Sequence, residues 1–126
     1  MVPLFLSPVS AGFPSPADDF LDHALDLNEL LVEHPTATFF VRVKGDSMTG
    51  AGIKSGDILI VDRSLEPRDK SVVVALVNSE FTVKRLAKRG DKIFLMPENP
   101  LYPFIEITEH MDFEVWGVVR HVIHSF

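Results

Sequence analysis

Thr38-Phe39-Phe40-Val41-Arg42-Val43-Lys44 is the stretch on which the fold reading turns. Phe39, Val41 and Val43 alternate with Phe40, Arg42 and Lys44, the period of two expected of a strand with one face toward a core. The strand stops at Gly45-Asp46. Beyond it the same style of patterning recurs in short runs: Ile58 to Val61, Ser71 to Val77, Glu80 to Leu86, Lys92 to Met96, Ile105 to Ile107 and Phe113 to Ile123. Turn-forming clusters separate them at Ser55-Gly56-Asp57, Asn78-Ser79, Arg89-Gly90-Asp91 and Glu98-Asn99-Pro100. Val77-Asn78-Ser79-Glu80 reads as a tight hairpin, which makes the strands of Val74 and Thr82 antiparallel neighbours. The expected fold is mainly β, with several short and mostly antiparallel strands.

Working outward toward the N-terminus, residues 1–37 hold five of the nine prolines and almost no alternation, and read as an extended arm preceding a β-rich domain of residues 38–126. Within the arm, Ser15 can cap a short helix with Pro16 in its first turn and Asp18 and Asp19 near its positive end. A second short helix can begin at Asp26, with Glu29 at capping-box spacing and Leu27, Leu30 and Leu31 on its apolar side, closed by Pro35.

Composition sets the outer limits. The chain has 126 residues and 46% hydrophobic content, enough for one compact core. Ten Phe with one Trp and one Tyr, among many Val and Ile, favour sheets over a helical bundle. A net charge of −6 argues against direct DNA binding, and the basic run Lys84-Arg85-Leu86-Ala87-Lys88-Arg89 reads as solvated charge leading into a turn. With no cysteine there is no disulfide, thiolate nucleophile or Cys-based zinc site, which fits a reducing cytoplasm. Met1 to Ala11 has the small-x-small end of a signal peptide at Val9 and Ala11. It lacks a basic start, and Pro3 and Pro8 interrupt its apolar run. No stretch approaches the roughly 20 apolar residues of a membrane helix. The expectation is a soluble cytoplasmic protein that needs neither a membrane nor a cofactor.

Two places carry chemistry. Gly45-Asp46-Ser47-Met48 puts a serine between a strand end and Thr49-Gly50-Ala51-Gly52, where backbone N–H groups could stabilise an oxyanion. Taken alone, Gly-Asp-Ser is also ordinary turn vocabulary. Lys84, in Phe81-Thr82-Val83-Lys84-Arg85-Leu86, shares a strand face with Thr82 and Leu86. An ordinary lysine titrates near ~10.4 and is almost never neutral at pH 7. Burial that lowered this toward ~7–8, at about 1.4 kcal/mol per unit, would leave an amine able to deprotonate a serine. The plain alternative is a surface lysine on an edge strand. His121 and His124 lie three apart in a strand-like run and so face opposite sides, which disfavours a shared metal; a triad of Ser47, a histidine and an aspartate stays open.

Gly45-Asp46-Ser47-Met48, the run Gly52 to Asp62 (Gly-Ile-Lys-Ser-Gly-Asp-Ile-Leu-Ile-Val-Asp) and Glu80-Phe81-Thr82-Val83-Lys84-Arg85-Leu86 together resemble the LexA/UmuD family of self-cleaving peptidases, over nearly the whole chain beyond Ala11. The resemblance implies Ser47 as nucleophile and Lys84 as general base. It also implies a scissile bond between a small residue and glycine ahead of the domain, which Ala11-Gly12 supplies. Gly12-Phe13-Pro14-Ser15-Pro16 is similar to the UmuD sequence after its cut. LexA-type repressors place a helix-turn-helix domain there instead of 11 residues, so the UmuD branch is the closer match.

For that branch the family implies cleavage stimulated by RecA filaments on single-stranded DNA, in the SOS response. It implies a trimmed homodimer acting with a UmuC-type error-prone DNA polymerase in translesion synthesis. Two other readings compete. One is a non-enzymatic β module regulating a polymerase or its sliding clamp. The other is a signal peptidase, which shares serine–lysine chemistry but normally carries a membrane anchor.

Overall fold

A computed structural model describes residues 27–126, together with the backbone of residues 2–5 and 21–25. The chain divides into two compact units, one ending at Glu33 and the other running from His34 to Phe126. In the first, β1 (Val2–Phe5) and β2 (Leu21–Leu25) pair antiparallel, followed by a five-residue helix, Leu27–Leu31. The helix lies inside the stretch expected to run from Asp26 until Pro35 closes it, but it stops at Leu31. The one proposed at Ser15–Asp19, and the Ala11-Gly12 bond, lie outside the described residues. The strand pair was not anticipated. Its pairing partners lie about 20 residues apart, and Pro3, which lacks an N–H, obscures β1 in the sequence.

The second unit is a seven-stranded antiparallel sheet built from β3 (Thr38–Arg42), β4 (Ile58–Asp62), β5 (Val72–Val77), β6 (Glu80–Arg89), β7 (Lys92–Met96), β8 (Ile105–Ile107) and β9 (Phe113–Ile123), in the order β3-β4-β9-β5-β6-β7-β8. The mainly β, antiparallel expectation is borne out. β6 runs three residues past Leu86, because Ala87, Lys88 and Arg89 pair with Phe94, Ile93 and Lys92. The Val77–Glu80 hairpin forms as expected. Asn78 and Ser79 both take positive φ (47° and 70°), the geometry that lets a two-residue turn follow the strand twist.

Alternation sorts the side chains into two cores. Val43, Met48, Ile53, Leu59, Val61 and Val74 form one, with Val41, Val83 and Trp116 packed on it; Val73, Ala75, Leu86, Leu95 and Val118 form the other. Along β3 and just past it the alternation holds in part: Val41 is half-buried and Val43 buried, whereas Phe39, although it meets Trp116 at 5.2 Å, is exposed like Phe40. In β9 the register against β5 shifts between Val74 and Ala75, so that Trp116 has no opposite number. Such a bulge reverses the parity of the strand. Val115 before it and Val118 after it therefore reach the same core, and Trp116 joins the other.

Candidate active site

The connection from β3 to β4 carries the serine turn. Gly45 leaves the strand at φ +87°, Met48 plugs the first core at 2% exposure, and a 3-10 turn, Thr49–Ala51, closes on Gly52 at φ +82°. A buried Met48 beside a half-buried Ser47 means that burying one side chain fixes the position of the other. The turn is also tied to the segment after β7: Glu98 N–H donates to the Ser47 carbonyl (2.8 Å) and Gly50 N–H to the Glu98 carbonyl (2.7 Å). A Cβ on Gly50 would lie 2.5 Å from that carbonyl oxygen, so the approach requires glycine. Among the described residues, neither the Ser47 nor the Met48 backbone N–H has a hydrogen-bond partner.

Lys84 comes from β6, 37 positions away in sequence, and its Nζ lies 3.0 Å from Ser47 Oγ. It also donates to Thr82 Oγ1 (2.7 Å) and the Val83 carbonyl (3.2 Å). Lys84 is only 9% exposed, and no carboxylate is among its hydrogen-bond or ion-pair partners in the described residues. Burial pushes its pKa below the usual lysine value, because the charged form loses hydration that nothing negative replaces. The edge-strand lysine of the plain reading would be exposed; this one is buried.

Both residues line a cleft of about 440 Å³ whose other walls include Val41, Val43, Val74, Phe81, Val83 and Trp116. Phe81 meets Trp116 edge-on at 5.9 Å, and the Arg63 guanidinium sits 4.6 Å over the indole. The cleft is thus mainly apolar, with Arg42, Lys44 and Thr82 adding polar groups to its wall beside Ser47 and Lys84. Beside it, β7 pairs with β6 only from Arg85 onward. Among the described residues, Glu80–Lys84 has no strand along that edge.

Two histidines are engaged elsewhere. His124 Nδ1 lies 2.6 Å from Asp57 Oδ1 and His34 Nδ1 lies 2.6 Å from Asp62 Oδ2. No histidine contacts Ser47 among the described residues, and none of their acidic and histidine side chains form a three-ligand group for a metal. Asp57 is held below the usual carboxylate range by the Lys54 N–H first and His124 second. At Asp62, burial works in the opposite direction and is outweighed by hydrogen bonds from Ser64 and His34. These two buried aspartates bracket β4 and anchor loops; neither belongs to the cleft.

Glu98, Asn99 and Tyr102 adjoin the serine turn without any local signal in the sequence that they do so: Glu98-Asn99-Pro100 is a turn, as its residue types indicate, and nothing local in a turn says which distant loop it will touch. Thr82 shares the face of Lys84, as strand alternation requires, and its hydroxyl is in addition a partner of the amine.

The fold and the site together define an antiparallel β protein that sets a serine hydroxyl against a buried lysine amine at an apolar cleft. Residues 3–120 match the Peptidase S24-like family, and the chain belongs to that family. It is 47% identical to protein MucA of Salmonella typhimurium over 121 residues, covering 95% of this chain and 82% of MucA. It is 45% identical to protein SamA of the same species over 123 residues, covering 98% and 85%. A LexA repressor of Paracidovorax citrulli is 36% identical over 125 residues, covering 99% of this chain and 55% of the repressor. The resemblance to the LexA/UmuD peptidases is thereby borne out. No helix among the described residues is long and apolar enough to cross a membrane.

Proposed function

We propose that the chain is a UmuD-like self-cleaving peptidase of the SOS response, in which Ser47 attacks the Ala11 carbonyl and neutral Lys84 is the general base. The observation that supports this most is the 3.0 Å contact between Ser47 Oγ and the Nζ of a buried lysine. A neutral amine has two N–H groups and one lone pair. Thr82 Oγ1 and the Val83 carbonyl accept the two N–H groups, so the lone pair is left for the Ser47 hydroxyl proton. As the Ser47 Oγ–carbon bond forms, that proton moves to Nζ. Lys84 then hands it to the Gly12 nitrogen as the peptide bond breaks, leaving an acyl-enzyme on residues 1–11. Water, deprotonated by the same amine, releases Ala11 with a free carboxylate and restores Ser47.

The backbone N–H groups of Ser47 and Met48 are the candidates to hold the oxyanion. The open edge of Glu80–Lys84 is one along which a peptide with a small residue at its scissile position can pair as an added strand. In this reading the protein is cytoplasmic and homodimeric. Cleavage is stimulated by a RecA filament, and the trimmed form acts with an error-prone polymerase in translesion synthesis; the family membership supports these roles as a group.

The test is intact mass after incubation at mildly alkaline pH, with and without a RecA filament. Loss of residues 1–11 from the wild type and none from Ser47→Ala is expected. A Ser47→Ala chain trimmed between Ala11 and Gly12 overturns the assignment, and a wild type never trimmed under either condition favours the non-enzymatic module.

A further inference from the structure

Besides its tie through Glu98, the serine turn is gripped at Asp46 by residues that follow β7. Asn99 Nδ2 donates to the Asp46 carbonyl at 2.9 Å, and the Tyr102 hydroxyl donates a short hydrogen bond to Asp46 Oδ1. Asn99 also shapes the loop that presents Tyr102: its Oδ1 accepts from Leu101 N–H (3.0 Å) and its carbonyl from Tyr102 N–H (3.1 Å). Arg85, the residue after Lys84, closes the circuit with a 2.5 Å ion pair from Nε to Glu98 Oε1. One loop therefore holds the residue before the nucleophile while being fastened to the residue after the base.

We propose that Tyr102 is a positioning residue for Ser47, acting through the Asp46 carboxylate, with Asn99 holding the backbone of the same residue. Gly45, at φ +87° with nothing within 4 Å of where a Cβ would stand, gives the turn little side-chain restraint, and the exposed Asp46 is held within the turn itself by one long bond, Thr49 N–H to its carbonyl at 3.4 Å. A nucleophile must be held close to its productive geometry, and small displacements cost large factors in rate. The Asp46 carboxylate raises the pKa of the Tyr102 hydroxyl, which favours the protonated donor. This inference rests on the serine–lysine reading of the site.

The experiment uses the full chain and two readouts, self-cleavage by intact mass and labelling of Ser47 by a fluorophosphonate, which needs the nucleophile but not the arm. Tyr102→Phe removes only the hydroxyl and is expected to slow both by about 10-fold, with the thermal midpoint unchanged. Asp46→Ala is expected to slow them similarly, and the double variant to be no slower than Asp46→Ala alone, because the tyrosine has nothing left to act through. Tyr102→Phe with wild-type rates, or an additive double variant, overturns the inference while leaving the serine–lysine reading intact. A wild type that neither cuts nor labels at Ser47 overturns both.

Discussion

Thr82 Oγ1 lies 2.7 Å from Lys84 Nζ, two residues along the same face of β6. The hydroxyl orients the amine and, as an acceptor, favours the ammonium over the neutral form. Thr82→Val keeps the shape and removes the acceptor. The plateau cleavage rate should fall about 2–10-fold, the range of one net hydrogen bond, and the midpoint of the pH profile should move down. A midpoint that rises would show that the hydroxyl stabilises the neutral amine instead. The measurement is unstimulated cleavage by intact mass across pH.

Burial holds the pKa of Lys84 below that of a lysine in water. Its neutral fraction grows as pH rises through the lowered value, so unstimulated cleavage should climb with pH and then level off. The same shift acts on stability. Between the folded value and the usual ~10.4, the unfolded chain binds the proton that the folded chain has released, so stability rises with pH in that window. Denaturant titrations of Ser47→Ala should show this rise, and Lys84→Met should abolish it. A cleavage rate constant from pH 6 to 10 would exclude a lysine base.

Gly50 meets the Glu98 carbonyl so closely that any Cβ must push the two apart. Gly50→Ala should lose stability by about 1–3 kcal/mol, the range for overpacking. It should also slow cleavage at pH values where the protein is still fully folded, because Glu98 N–H holds the Ser47 carbonyl. Chemical denaturation and cleavage assays on one preparation measure both. Wild-type cleavage in a destabilised Gly50→Ala would separate the Glu98 contact from catalysis.

About 35 residues separate Gly12 from Ser47, and at up to ~3.3 Å per residue an extended chain can reach its own site or that of a neighbour. A two-fold dimer presents the neighbouring site at a fixed position. Mixing a Ser47→Ala chain, intact at Ala11-Gly12, with a Gly12→Trp chain, intact at Ser47 and Lys84, should therefore yield trimmed Ser47→Ala product. If subunits exchange and no such product forms at alkaline pH or with a RecA filament, the arm is cut by its own chain.

The strands from Thr38 to Ile123 were legible because each is a local pattern: alternation is set by neighbours two apart, and turn residues such as Asn78 and Gly90 act within four positions. Ser47 and Lys84 stood out through ordered motifs that no single residue would have revealed. Local patterning was enough for the β class and the hairpin at Asn78-Ser79, and it nominated Ser47 and Lys84, which the fold brings within 3.0 Å of each other.

Tertiary structure alone decided the rest. That β9 lies between β4 and β5, that its bulge turns Trp116 toward the cleft, and that the loop after β7 closes on Asp46 and Ser47 all depend on contacts between distant segments. The state of Lys84 belongs to the same class: its pKa is lowered because packing removes water from the amine without supplying a negative charge. Solvation of one atom depends on everything folded around it, and no local pattern encodes that.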